Sequence, residues 1–193
     1  IIVLGFLFWG IPGWTQPTLN EWLSISTSSA EEKEKAYQRV QTLVAAIKEY
    51  PSNEQKTLQR VFHKVHATFL KRYEAYTDFH TLFDDGTYDC LTATALFSYL
   101  LTELEYDFEV VETNYHIFIL VETAQGRVMS ETTDRLGGFE TDEERIAYRT
   151  GEYRKYAPSA IRPDQRSYQY TFSLYQTVSP EKLTGLLIYN QAV

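Results

Sequence analysis

The feature that most limits what this chain can fold into is a pair of strand-like runs around a short turn. In Asn114 to Val121, His116, Phe118 and Leu120 fall on one face, and Tyr115, Ile117, Ile119 and Val121 on the other. Thr123 to Gly126 reads as the turn, and Arg127 to Thr132 returns as the partner strand. The register of this hairpin decides which carboxylate approaches His116. If Glu122 faces Arg127, then Phe118 faces Glu131, and Glu131 lies diagonal to His116 on the same face. Diagonal neighbours sit roughly 7–8 Å apart at the backbone, within reach of a long carboxylate side chain. A turn one residue shorter or longer moves every residue of the second strand to the other face. Asp134 would then be the better partner. Glu131 is preferred, because Asp134 sits close to Gly137-Gly138 and falls beyond the strand.

Upstream stands the one cysteine of the chain, Cys90. One cysteine forms no internal disulfide and says nothing of redox compartment. Asp89 to Glu105 reads as a helix, with Leu91, Ala95, Leu96, Tyr99, Leu100 and Leu104 as its apolar face. Cys90 falls in its first turn, with Asp89 as the cap. A helix N-terminus presents unpaired N–H groups and a partial positive charge, both of which favour thiolate over thiol. The same N–H groups can stabilise an oxyanion when the thiolate attacks a carbonyl. Cysteine, histidine and carboxylate in this order are one arrangement of nucleophile, base and orienting acid. Taken alone, Cys90 is as readily a small buried hydrophobe, and a single histidine on an apolar strand is most often satisfied by a backbone carbonyl. The combination is what turns the balance.

The remainder reads as scaffold and address. Ile1 to Gly13 is apolar and uncharged, too short to span a bilayer comfortably, and matches the hydrophobic part of a secretory signal. A buried strand or a signal-anchor are the other readings. Residues 1–16 are therefore expected to be a signal peptide or membrane anchor, placing the protein in the periplasm, outside the cell or at the membrane. Residues 17–59 are expected to hold a polar linker, Thr18 to Ser29, then helices. Ser29 with Glu32 fits a capping box, followed by Tyr37, Val40, Leu43, Val44 and Ile47 at helical spacing. Ser52 to Gln55 opens the next helix by the same device, with Leu58, Val61, Phe62, Val65 and Phe69 buried. His63 and His66 lie three apart on it. Without a cysteine or carboxylate nearby they read as surface or edge residues rather than metal ligands. Tyr73 to Asp85 is a loop ending in a turn at Gly86.

After the hairpin, Thr141 to Glu144 caps a short helix through about Thr150. Pro158 and Pro163 punctuate a loop, and Tyr168 to Leu174 alternates as a half-buried strand. Ser179-Pro180 starts a last helix with Leu183, Leu186, Leu187 and Asn190 on one side. Its pattern runs to Val193 without a stop signal, as in a fragment with more helices to follow. The formal charge is −8, with no basic run, which argues against nucleic-acid binding. The 15 tyrosines fit half-buried sheet surfaces as well as binding grooves.

Tyr88-Asp89-Cys90, Tyr115-His116-Ile117-Phe118 and Ser130-Glu131-Thr132-Thr133-Asp134 together resemble the transglutaminase-like superfamily. The similarity covers roughly residues 60 to 193. It is similar to a bacterial exported branch whose members often precede helical repeats of the tetratricopeptide kind. The resemblance implies an α+β fold with a papain-like core, in which the cysteine-bearing helix packs on an antiparallel sheet, with helices N-terminal to it. Residues 60–178 would be that domain and 179–193 the start of a helical extension. It implies Cys90 as nucleophile, His116 as general base and Glu131 as the group orienting the imidazole. The implied activity is thiol-dependent acyl transfer on amide bonds, as a peptidase, amidase or cross-linking enzyme, with no metal or organic cofactor. The partner would be a protein or cell-envelope peptide, with membrane association possible through the N-terminal apolar segment. Better-known members carry Asp where this chain has Glu131, and Trp where it has Leu91. The competing expectation is an inactive member of the superfamily serving as a protein-binding module of the cell envelope.

Overall fold

The computed structural model describes residues 19–26, 29–114, 116–155 and 174–192. The expected signal segment over 1–16, the proline-marked loop and the alternating strand at 168–173 lie outside these residues. The fold is mixed helix and sheet.

Among the described residues, three helices come first. α1 (Leu19–Ile25) falls where a polar linker was expected, and that expectation is corrected. Its Leu19, Trp22 and Leu23 are buried, and the Trp22 indole N–H donates to Thr184 Oγ1 at 2.9 Å. α2 (Ala30–Lys48) starts at the expected Ser29–Glu32 capping box. α3 (Glu54–Thr68) is capped by Asn53, whose side chain accepts from Lys56 N, one residue later than the Ser52 start expected. Leu58, Val61, Phe62, Val65 and Phe69 are buried as their spacing predicts.

The segment expected as loop next carries β1 (Arg72–Tyr73), α4 (Thr81–Asp84) and, beyond Gly86, β2 (Thr87–Tyr88), which pairs parallel to β1. Gly86 has φ +82°, and a Cβ there would stand 2.9 Å from the Phe69 carbonyl oxygen. Only glycine takes that backbone and that approach without strain. The turn delivers the chain directly into α5 (Cys90–Glu103). Every residue of α5 from Thr92 to Leu101 is buried, so this helix is enclosed all round rather than apolar on one face.

A five-stranded sheet follows, built from β3 (Phe108–Thr113), β4 (Ile117–Thr123), β5 (Gly126–Ser130), β6 (Phe139–Glu140) and β7 (Tyr175–Val178). Its order is β6-β5-β4-β3-β7, with every neighbouring pair antiparallel. Periodicity did not mark β3, because Val110 and Val111 are adjacent and both buried, one to each face. Val110, Ile117, Ile119, Val121, Val128 and Val178 join the core shared with α5. Val111, Phe118, Leu120 and Met129 face the other way, against Ile146 of α6 (Glu143–Lys155). α6 is capped by Asp142, which accepts from Arg145 N at 2.9 Å, and runs past the expected end at Thr150.

α7 (Pro180–Asn190) begins at the Ser179 cap with proline in its first turn, as the sequence predicts. It packs against α1 and α5 and buries Leu183 and Leu187 in the same core as the sheet. Among the described residues, no helix is long and apolar enough to cross a membrane.

Candidate active site

The hairpin takes the register in which Glu122 faces Arg127 and Ile119 faces Ser130. This puts Glu131, just past β5, on the face that carries Phe118 and, just before β4, His116. The His116 Nε2 and Glu131 Oε2 atoms are 3.7 Å apart. That is an ion-pair separation rather than a hydrogen bond. Asp134 is not at this position. It sits in the loop after β5, where its Oδ1 accepts from the backbone N–H groups of Leu136 and Gly137.

Both partners are held from behind. His116 N donates to Thr113 Oγ1 at 3.0 Å, and Thr113 N donates back to His116 O at 2.8 Å, closing the β3–β4 connection. The His116 ring stacks on Phe118 and lies 5.7 Å from the Tyr153 ring. Glu131 N donates to Gly138 O at 2.8 Å, and Gly138 N to Asp134 O at 2.8 Å, so the loop returns on itself. A Cβ on Gly138 would meet Glu131 O at 2.2 Å and Asp134 O at 2.3 Å. The second glycine of the pair is therefore a requirement of close backbone approach.

Two α6 residues that sequence reasoning missed complete the cluster. Tyr153 Oη donates to Glu131 Oε1 at 2.5 Å, and Arg149 Nη2 pairs with the same oxygen at 2.8 Å. They are four residues apart, on one helix face. The spacing was visible, but ending the helix near Thr150 left Tyr153 out. Burial works to raise the Glu131 pKa. His116, Tyr153 and Arg149 outweigh it and hold the carboxyl below its ordinary value. The Tyr153 phenol moves up, through burial first and then the carboxylate it serves. Glu131 is thus a fixed anion. One oxygen is occupied by α6 and the other faces the imidazole, which leaves His116 Nδ1 as the nitrogen for any further partner.

Cys90 stands at the start of α5 as expected. Asp89 is the cap, and its side chain accepts from Thr92 N at 2.7 Å in a reciprocal box with the Thr92 hydroxyl. Asp89 is itself buried and also accepts from Thr77 N and Asn190 Nδ2. The electrostatic expectation for Cys90 is corrected. Burial, and then the Asp89 carboxylate, push the thiol up to about 11, against the opposing pull of the Cys90 and Leu91 N–H groups. The helix end does favour thiolate, but a half-buried sulfur beside a capping carboxylate is neutral at pH 7 unless another group takes its proton.

The α5 N-terminal region and the Glu131 loop are joined one turn further on, where the Thr94 and Thr132 hydroxyls meet at 3.1 Å. The structure therefore brings His116 and Glu131 into contact and ties the cysteine helix to the same loop. Among the described residues, no hydrogen bond joins Cys90 to His116.

The histidine pair on α3 separates. His63 is exposed, while His66 is buried at 1 % exposure, which corrects its placement at the surface or edge. Among the described residues there is no group of three metal-ligating side chains. A cavity of about 630 Å³ lies at the far end of α5, lined by Trp22, Tyr99, Glu103 and Tyr106 among others, and includes neither Cys90 nor His116. Comparison with family models, curated proteins and solved structures finds no match to this chain.

Proposed function

We propose that this protein is a thiol-dependent acyl-transfer enzyme with a transglutaminase-like core, acting on amide bonds through a Cys90 thioester. The observation that carries this reading is the 3.7 Å approach of His116 Nε2 to a buried, anionic Glu131, on the loop to which the Cys90 helix is tied. A carboxylate so placed favours the imidazolium that forms when Nδ1 accepts a proton.

The step follows from these roles. His116 Nδ1 takes the proton from Cys90 Sγ, and the thiolate attacks the amide carbon. The C–O electron pair moves onto oxygen, within reach of the Cys90 and Leu91 N–H groups at the helix start. Collapse breaks the C–N bond as His116 returns the proton to the leaving amine, and a thioester remains. Water, or a second amine, then adds to the thioester with His116 again taking the proton, and Cys90 departs as the thiol. The Cys90–His116 hydrogen bond that this step needs is expected to form with substrate in place, since catalytic hydrogen bonds often tighten only in the complex.

A second reading rests on the elevated thiol. With Cys90 near 11 and without a hydrogen bond to His116, the same fold would serve as a non-catalytic protein-binding module. Iodoacetamide labelling across pH separates the two. The enzyme reading expects Cys90 to be alkylated at neutral pH and His116→Ala to need strongly alkaline pH. Labelling of both proteins only as the pH approaches 11 would sink the enzyme reading in favour of the binding module.

A further inference from the structure

We propose that Tyr73, Tyr76 and Tyr88 form a subsite beside Cys90 that receives an aromatic or large apolar side chain of the acyl donor. This rests on the acyl-transfer reading and adds to it a class of substrate.

The placement is set by backbone bonds. Tyr73 and Tyr88 are register partners across β1 and β2, and their rings meet edge to face with centroids 5.8 Å apart. Cys90 follows Tyr88 by two residues. Glu74 N donates to Tyr88 O at 2.9 Å, and Thr77 N donates to the Asp89 carboxylate at 3.3 Å. The 73–77 segment is thus bonded at both ends to the residues leading into Cys90. Burial, and next the nearby Cys90 and Asp89, hold the Tyr73 phenol above its ordinary pKa, as this closeness requires.

The chemistry is in what is left uncovered. Tyr88 is nearly buried at 8 % exposure and forms a wall. Tyr73 and Tyr76 are 55 % and 65 % exposed. Tyr76 also has φ 59°, a left-handed conformation that a bulky side chain rarely adopts. Such strain persists where the surroundings over-determine it, and it gathers at ligand sites. Here the Thr77–Asp89 bond, together with Asn190 donating to Thr77 O at 2.9 Å, holds the next residue. Offered aromatic faces beside a nucleophile suit a planar or bulky apolar group, with phenol hydroxyls at the rim to meet the polar backbone that flanks it.

The test is relative alkylation of Cys90 in the full chain at neutral pH by N-benzyl-iodoacetamide and by iodoacetamide. Each reagent forms a C–S bond at Cys90 and releases iodide. The benzyl reagent is expected to react faster than its intrinsic reactivity warrants, by roughly 2- to 10-fold, the range an aromatic contact supports. Tyr73→Thr and Tyr76→Asn should each bring that ratio towards one. Threonine suits a strand and asparagine tolerates the left-handed backbone, so neither variant should fail to fold. Tyr50→Ala, at an exposed tyrosine beyond the end of α2, should leave the ratio unchanged. A wild-type ratio near one, a ratio insensitive to both subsite variants, or an equal drop in Tyr50→Ala overturns the subsite while leaving the acyl-transfer reading in place. Failure of both reagents to label at neutral pH overturns that reading and the subsite with it.

Discussion

Thr94 of α5 and Thr132 of the loop after β5 share a hydrogen bond at 3.1 Å, and both residues are fully buried. It is a direct polar link between the helix that begins with Cys90 and the loop that carries Glu131. Replacing Thr132 by valine keeps the shape and strands the Thr94 hydroxyl in the core. The expected cost is about 1–3 kcal/mol of stability, read by urea unfolding. Thr94→Val/Thr132→Val should recover part of it, because no polar group is then left alone. A double variant no better than Thr132→Val would mean that the pair is not bonded.

Glu131 contributes to stability through an anion held by Tyr153, Arg149 and His116. Its folded pKa lies below the ordinary 4.5, so its contribution is complete above that value and is lost as pH falls through the folded pKa. Arg149→Met should cost about 1–3 kcal/mol at pH 7, the full buried-pair value being discounted because Arg149 is partly exposed. Glu131→Gln should lose less on acidification below pH 4.5 than the wild type does. Identical acid unfolding of the two proteins would remove Glu131 from the ionic cluster.

His66 behaves in the same direction for another reason. Its ring lies against Phe62, with centroids 4.5 Å apart, and neither ring nitrogen has a hydrogen-bond partner among the described residues. Burial first, then Arg135 and His63, lower its pKa to about 4, with Asp134 opposing. A depressed folded pKa means that the contribution is complete above the unfolded value near 6.5 and lost as pH falls to about 4. The expected loss is on the order of 3 kcal/mol across that window. His66→Phe, which cannot charge, should flatten the stability profile between pH 6.5 and 4 in denaturant titrations. A wild-type profile already flat there would contradict a buried neutral imidazole.

Gly138→Ala should displace the Glu131 loop, since the two carbonyl oxygens that its Cβ would strike belong to backbone and cannot rotate away. A cost of about 1–3 kcal/mol is expected from the overpacking. Loss of neutral-pH labelling at Cys90 should accompany it, with the helical circular dichroism retained. At Gly137 the nearest atoms to an added Cβ belong to the Asp134 side chain rather than to backbone, so Gly137→Ala should be milder.

The hairpin was legible from its alternation and polar turn, but its register was not. The turn length left Glu131 and Asp134 both open, with Glu131 preferred because Asp134 falls beyond the strand, and the Glu122–Arg127 pairing decides for Glu131. The helix start at Cys90 was legible because Asp89, a good capping residue, stands directly before a run of apolar residues at helical spacing; that Thr92 closes the box emerged only from the structure. What escaped depended on tertiary context. Val110 and Val111 form a central strand buried on both faces, and such a strand has no alternation to read. Trp22 and Leu23 lie in a helix too short to show a period. Arg149 and Tyr153 look like solvent-facing residues until a buried carboxylate opposite them is known. The Cys90 thiol went against expectation because helix-end electrostatics is local, whereas burial is decided by the whole packing.

Asp89 has one further consequence. Asn190 lies 101 residues along the chain, yet its amide donates to the carboxylate directly preceding Cys90 at 2.7 Å. The end of α7 and the start of α5 are therefore joined by a direct hydrogen bond. A shift of Asn190 would be felt first at the Asp89 cap. Withdrawing Asn190 takes from Asp89 a donor that balances its charge, and a less restrained carboxylate one residue away raises the electrostatic barrier to forming the thiolate. A displacement at Asn190 would in this way be registered in the acidity of the Cys90 thiol.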